Sequence, residues 1–329
     1  MHNLLDPAIL FFVFGVFAGT IKSNLEIPPP IARFLSLYLL MALGLKGGFA
    51  LAKSGLTVEV ATCLALAVLL AVCIPVVGYA LLRRGLSGYD AAAVAATYGS
   101  VSAVTFITAT QTLERSGIAY GGHMAAAMAL MESPAIIFAV VMANRLRRSL
   151  PSVASAVDTG AGSPHDASLV GILRESFTDG AQLLLLGAMA IGIVTGESGK
   201  VAMQPFTGDL FKGMLAFFLL DMGLMVARHM PPMREVPRRL LAYALLGPLI
   251  HAALALALAR LAGLSAGDGA LLMVLAASAS YIAVPAVLRF AIAEAKPAYY
   301  FGMSLGVTFP LNILLGIPFY IGMARQWLG

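Results

Sequence analysis

Charged residues are scarce in this sequence. Asp, Glu, Lys and Arg make up 11% of its 329 residues, 60% are apolar, and the mean hydropathy is +0.90. A soluble domain cannot hide so much apolar surface; a bilayer can. Cysteine is scarcer still. Cys63 and Cys73 share one apolar segment. This excludes a disulfide framework and leaves them as small core residues. No phosphate-binding loop, metal-ligand spacing, nucleophile–base pair or GxSxG elbow occurs, so an enzyme is not expected. The start, MHNLLDP, has neither a basic segment nor a small-residue cleavage site, so no removable signal peptide is expected. The net charge of +5 and pI near 9.3 do not point to nucleic acid, because the excess Lys and Arg flank the apolar segments.

About 20 apolar residues cross a bilayer as a helix. On that measure ten segments emerge, at 8–22, 31–51, 58–82, 89–113, 123–145, 176–195, 209–228, 239–262, 268–293 and 298–324. A stretch rich in Ser, Gly, Pro and Ala opens the linker 149–172, which divides five spans (1–148) from five (173–329). Fourteen Lys and Arg fall on the linker's side of the spans and six on the other. The positive-inside rule then puts the linker in the cytoplasm and both termini outside, in a plasma (bacterial inner) membrane.

The halves echo each other. GLSGYDAAAV (85–94) matches GLSAGDGALL (263–272), and the same offset carries Ser100 onto Ser278 and Ser102 onto Ser280. MALGLKGG (41–48) echoes LDMGLMVA (220–227), and ESPAI (132–136) aligns loosely with TFPLN (308–312). Five spans is an odd number, so the second copy enters the membrane upside down. The fold expected is therefore an all-α integral membrane protein of two inverted five-helix repeats, a hallmark of secondary transporters. Spans 4 and 9 are expected to be discontinuous and to cross. ATYGSVSAVTFITATQTLE (96–114) places Gly99, Ser100, Ser102 and Thr105 where a plain span would carry leucine, and ASASYIAVP (277–285) does so with Ser278, Ala279 and Ser280. A broken helix exposes N–H groups at the start of its second half, and two such starts aimed at one point make an anion site. Thr108 and Thr110 are read instead as bonding back to their own helix.

Acids inside spans are few and costly. Glu132, with Ser133 and then Pro134, is a candidate cation ligand or proton carrier; Asn312, at the equivalent place of span 10, and Asp221 are further candidates for Na⁺. His251 reads as a packing residue, and Lys46 as the partner of an unidentified acid.

YGSVSAVTFITATQTLE (98–114), MAAAMALMESPAIIFAVVMAN (124–144), YLLMALGLKGGFAL (38–51) and AASASYIAVPAVLR (276–289) together resemble the sodium-dependent bicarbonate transporter family first known from cyanobacteria. The resemblance covers nearly the whole chain. It implies Na⁺-driven bicarbonate uptake, crossing broken helices, often a homotrimer and, in cyanobacterial members, a PII-like regulatory partner. It implies no organic cofactor. It carries Gly99, Ser100, Ser102, Ser278 and Ser280 over as substrate residues, with Glu132 where the family pattern has aspartate. Span 9 departs from that pattern: the family's serine run leads to an aspartate and Gly-Pro-Pro, whereas this chain reads SASYIAVPA.

Three other classes compete. A cation/proton antiporter of similar architecture needs a titratable group at the crossing, where spans 4 and 9 offer only Ser, Thr and Tyr. A bile-acid-type symporter needs a wide apolar cavity. A membrane sensor needs a signalling module longer than the linker.

Overall fold

The computed structural model describes residues 6–55, 57–149, 180–229 and 236–329, and these contain no strand. The helices are α1 (Pro7–Thr20), α2 (Pro29–Ser54), α3 (Val58–Leu82), α4 (Gly88–Gly99), α5 (Ala103–Arg115), α6 (His123–Ser149), α7 (Gly180–Gln204), α8 (Leu210–His229), α9 (Arg238–Leu261), α10 (Ala266–Ala277), α11 (Ala283–Ala291) and α12 (Pro297–Leu328). The expected linker 149–172, past Ser149, lies outside the described residues, as do residues 176–179 of the expected sixth span.

Helix starts follow the local chemistry. Asp6, Thr57, Ser87 and Ser265 each accept a hydrogen bond from a backbone N–H in the first turn that follows, groups that a helix cannot satisfy for itself. Glycines and prolines bend the long runs. Gly196 takes a left-handed φ of 55° inside α7. A π turn, Pro205–Asp209, joins α7 to α8, and two more, Ser304–Thr308 and Asn312–Gly316, interrupt α12.

Among the described residues seven helical stretches are long and apolar enough to cross a membrane, and Pro7–Thr20 and Ala266–Ala277 are shorter apolar helices. One of the seven, Leu183–Arg228, has 46 residues, roughly 70 Å of helix where a bilayer core needs about 30 Å. Large apolar side chains such as Phe14, Phe17, Val76, Val194 and Ile250 face outward, as hydrocarbon requires and water would not allow.

The helices sort into two bundles. In the first, α1 packs along α8 and α2 along α7. Backbones meet there through glycine: a Cβ on Gly15 would strike the Leu220 carbonyl, and one on Gly48 the Met189 carbonyl. Such small-residue seams let membrane helices approach closely. The second bundle holds α3–α6 and α9–α12. In it α3 packs on α4 and α6, α9 on α10 and α12, and each broken helix touches the other. The bundles meet where α2 touches α5 and α6, α6 touches α7, and α8 touches α12.

Candidate functional site

Between α4 and α5 the chain leaves helical geometry at Ser100, Val101 and Ser102; between α10 and α11 it does so at residues 278–282. These breaks lie against each other and are stitched by backbone. Ser102 N–H donates to Ser278 Oγ at 3.0 Å, and Ser280 N–H donates to the Thr97 carbonyl at 2.9 Å. Ser278 Oγ in turn donates to the Leu275 carbonyl at 2.9 Å. Irregular backbone at membrane depth is tolerable only when covered by protein in this way.

A serine accepts a first-turn N–H of each second half-helix, Ser102 as the N-cap of α5 and Ser280 from two residues before the N-cap of α11. Ser102 Oγ accepts from Thr105 N–H at 3.2 Å and from the Thr105 hydroxyl at 3.0 Å. Ser280 Oγ accepts from Val284 N–H at 3.2 Å. A first turn has several more N–H groups than one serine can serve, and the helix dipole adds positive character there. Ser100 is 1% exposed, and its hydroxyl, like that of buried Thr97, has no hydrogen-bond partner among the described residues. The hydroxyls of Ser100 and Thr97, with that of Tyr281 in the second break, form a buried polar cluster beside two helix starts, suited to a small anion.

The expected substrate residues Gly99, Ser100, Ser102, Thr105, Ser278, Ala279 and Ser280 are all buried at this crossing. Gly99 has a packing reason of its own: a Cβ would come within 2.6 Å of the Pro75 ring on α3. Thr108 and Thr110 donate to the carbonyls of Val104 and Ile107, both at 2.8 Å, as expected.

The candidate cation ligands are dispersed. Glu132, half-buried, and buried Ser133 lie on α6, which packs against both α4 and α11. Pro134 has no N–H to give the Leu130 carbonyl, which is thereby freed beside them. Asn312 sits in a π turn of α12 and braces the second break: its Nδ2 donates to the Ala277 carbonyl at 2.8 Å, and its Oδ1 accepts from the Tyr320 hydroxyl at 3.1 Å. Asp221 is buried on α8, in the other bundle, with Oδ2 unpartnered among the described residues. No group of three or more His, Cys, Asp or Glu gathers as a metal centre among the described residues, so a cation here would rely on carbonyl and hydroxyl oxygens, as hard cations accept.

Several residues of the surrounding framework were not singled out from the sequence. The aspartates of the GLSxxD repeat are reciprocal braces: Asp90 accepts Lys296 N–H at 2.8 Å, and Asp268 accepts Gly121 N–H at 2.6 Å. Each ties the start of its own broken helix to the loop that opens a span of the opposite half. The repeat itself was the signal. Tyr98 donates to the Thr308 hydroxyl at 2.6 Å, which passes the bond to the Ala244 carbonyl at 2.9 Å. Lys46 finds its acid in Glu114, at 3.0 Å. His251 packs edge-on against Tyr243 with ring centroids 6.0 Å apart. Cys63 and Cys73 are free thiols.

A family model described as the Na⁺-dependent bicarbonate transporter superfamily matches residues 7–325. No curated relative matches the chain.

Proposed function

The chain belongs to the Na⁺-dependent bicarbonate transporter superfamily, and on that premise we propose that it is a secondary active transporter that takes up bicarbonate or a similar small anion together with Na⁺ by alternating access. One observation carries the reading: two serine-bonded helix starts meet at a crossing whose backbones bond to each other, beside the uncommitted hydroxyls of Ser100 and Thr97. An anion there would bond to the first-turn N–H groups of α5 and α11 and to Ser100. An antiporter would need a titratable group at this point, and the described residues of the two breaks bring only hydroxyls.

Ten spans in two inverted repeats are part of the proposal. The reciprocal braces at Asp90 and Asp268 support it, as does the matched packing of α1 on α8 and α2 on α7. The break at Gly196 and the π turn after it support two crossings within Leu183–Arg228. In this reading the linker is cytoplasmic, the termini are outside, and the first bundle is the element against which the second moves. The family implies Na⁺ as the coupling ion. We place it near Glu132 and Ser133, where Leu130 offers a freed carbonyl; Asn312 at the second break and Asp221 in the other bundle are separate candidates. The homotrimer and the PII-like partner rest on the family resemblance.

Uptake of labelled bicarbonate into proteoliposomes, with and without an inward Na⁺ gradient, tests the reading. Na⁺-dependent accumulation is expected. Pure Na⁺/H⁺ exchange without anion movement would replace it with the antiporter.

A further inference from the structure

We propose that the cavity between α1, α5 and α8 is an entry subsite for the transported anion, which there takes the place of Asp6 on Arg115. The inference rests on the transport reading above. The cavity has a volume of about 360 Å³ and a mostly apolar wall; its polar groups are Asp6 from α1's cap, Thr108, Gln111 and Arg115 from α5, and Lys212 at the start of α8, with Gly213 beside it. That is room for an oxyanion of four heavy atoms with part of its water.

The charges there are unbalanced. Arg115 pairs with Asp6, but the same carboxylate also caps α1, accepting from Ala8 N–H at 2.6 Å. Lys212 is exposed and makes no ion pair among the described residues. Two cations thus face one shared carboxylate. The last carbonyls of α5 oppose an anion at this end; Arg115, once released from Asp6, and Lys212 together offset them. A guanidinium can hold two oxygens of one oxyanion, and the fork that now meets Asp6 fits such a ligand.

The placement suits entry. α5 is about 20 Å long; Ser102 caps one end at the crossing and Arg115 closes the other at the cavity, with Thr108 between them. Adjacent residues at that outer end, Glu114 and Arg115, reach across to the first bundle, to Lys46 and Asp6. An anion that displaces Asp6 therefore occupies the route to the crossing and undoes one of the two ion pairs that α5 makes with the first bundle among the described residues. In the proposed orientation this end faces outward.

The test reads uptake and occupancy separately. Asp6→Asn keeps an oxygen for the α1 cap and removes the competing charge, so the apparent KM for bicarbonate should fall severalfold. Arg115→Gln should raise KM on the order of tenfold with the maximal rate largely kept, and Lys212→Gln about twofold, as befits an exposed charge. The double variant Asp6→Asn/Arg115→Gln should behave like Arg115→Gln alone. Occupancy is read at Gly213→Cys, a cavity position with open space around it, labelled with an anionic thiosulfonate. Bicarbonate, compared with gluconate, should slow labelling, at lower concentration with Asp6→Asn and not at all with Arg115→Gln. Uptake with unshifted KM, or protection equal in all three backgrounds, overturns the subsite. Protection without any Na⁺-driven uptake keeps the subsite and sinks the transport reading. If Arg115→Gln does not fold, the direction of the Asp6→Asn shift decides.

Discussion

The two bundles are held together by different means. In the first, backbone lies against backbone: Gly15 and Gly223 face each other between α1 and α8, and Gly48 and Gly192 do so between α2 and α7. In the second, the buried links at the crossing are hydroxyls, caps and carbonyls, from Ser102 on Ser278 to Asn312 on Ala277. The difference follows from what each must hold. Two regular helices in hydrocarbon have no hydrophobic drive toward each other and adhere by close contact alone. A broken helix leaves backbone groups that hydrocarbon cannot satisfy, so its bundle must supply polar partners, and an uncommitted remainder is where a ligand can bind.

The largest break in this comparison is expected from Gly48→Val. Its side chain would run into the Met189 carbonyl and to within 2.8 Å of Gly192. Backbone cannot move aside as a side chain can, so the cost should reach the upper end of the roughly 1–3 kcal/mol typical of overpacking, or pass it. Gly187→Val on α7 has nothing within 4 Å and is the control. Melting temperature in detergent should fall sharply for the first and hardly at all for the second. A seam indifferent to both substitutions would mean that glycine contact is not what joins α2 to α7.

Ser102→Ala should do the reverse, sparing the fold and losing transport. Losing this cap costs about 1 kcal/mol, a modest drop in melting temperature. Thr105 then loses the acceptor for both its N–H and its hydroxyl, and the helix start that the anion needs is no longer fixed. Uptake should fall on the order of tenfold or more, with partial recovery in Ser102→Thr. Wild-type uptake by the alanine variant would remove Ser102 from the site.

Within the second bundle a sharper comparison pairs its two ends. Asp90→Ala and Asp268→Ala each delete an acceptor for one loop N–H from the opposite half. If the halves are inverted copies, the two substitutions should cost alike, about 0.5–1.5 kcal/mol for each part-buried hydrogen bond lost, read as similar shifts in unfolding. A large cost at one end and none at the other would count against the inverted pairing.

Much of this arrangement was legible in the sequence. Segments of about 20 apolar residues pointed to membrane crossings because the bilayer imposes that length, though seven helical stretches among the described residues meet it and ten were expected; Gly-Ser-Val-Ser stood out because hydrocarbon makes hydroxyls conspicuous. The paired GLSxxD stretches pointed to matched halves for the same reason. What stayed hidden depends on distance through space. Lys46 was visibly in need of an acid, but Glu114 lies 68 positions away. Gly99 looked like part of a ligand site, and nothing local in the sequence announces that Pro75 fills the space beside it. The sixth span, expected to end at 195, continues as α7 to Gln204, because helix resumes after the non-helical Gly196.

The smallest effect is expected from Thr112→Val, which tests whether buried hydroxyls matter by position or merely by number. Thr112 is 1% exposed, lies on the same half-helix as Ser102 and carries the same functional group. Its hydroxyl, however, donates to the Thr108 carbonyl at 2.9 Å, one turn back. That carbonyl belongs to the helix ladder and keeps its backbone partner when the hydroxyl goes, so no buried group is orphaned, and valine fills nearly the same volume. Stability should change by about 0.5 kcal/mol or less, and both the rate and the KM of bicarbonate uptake should match wild type. A tenfold loss of uptake at unchanged stability would extend the anion's path along α5 beyond the crossing, and the contrast between a committed and an uncommitted hydroxyl would no longer define the site.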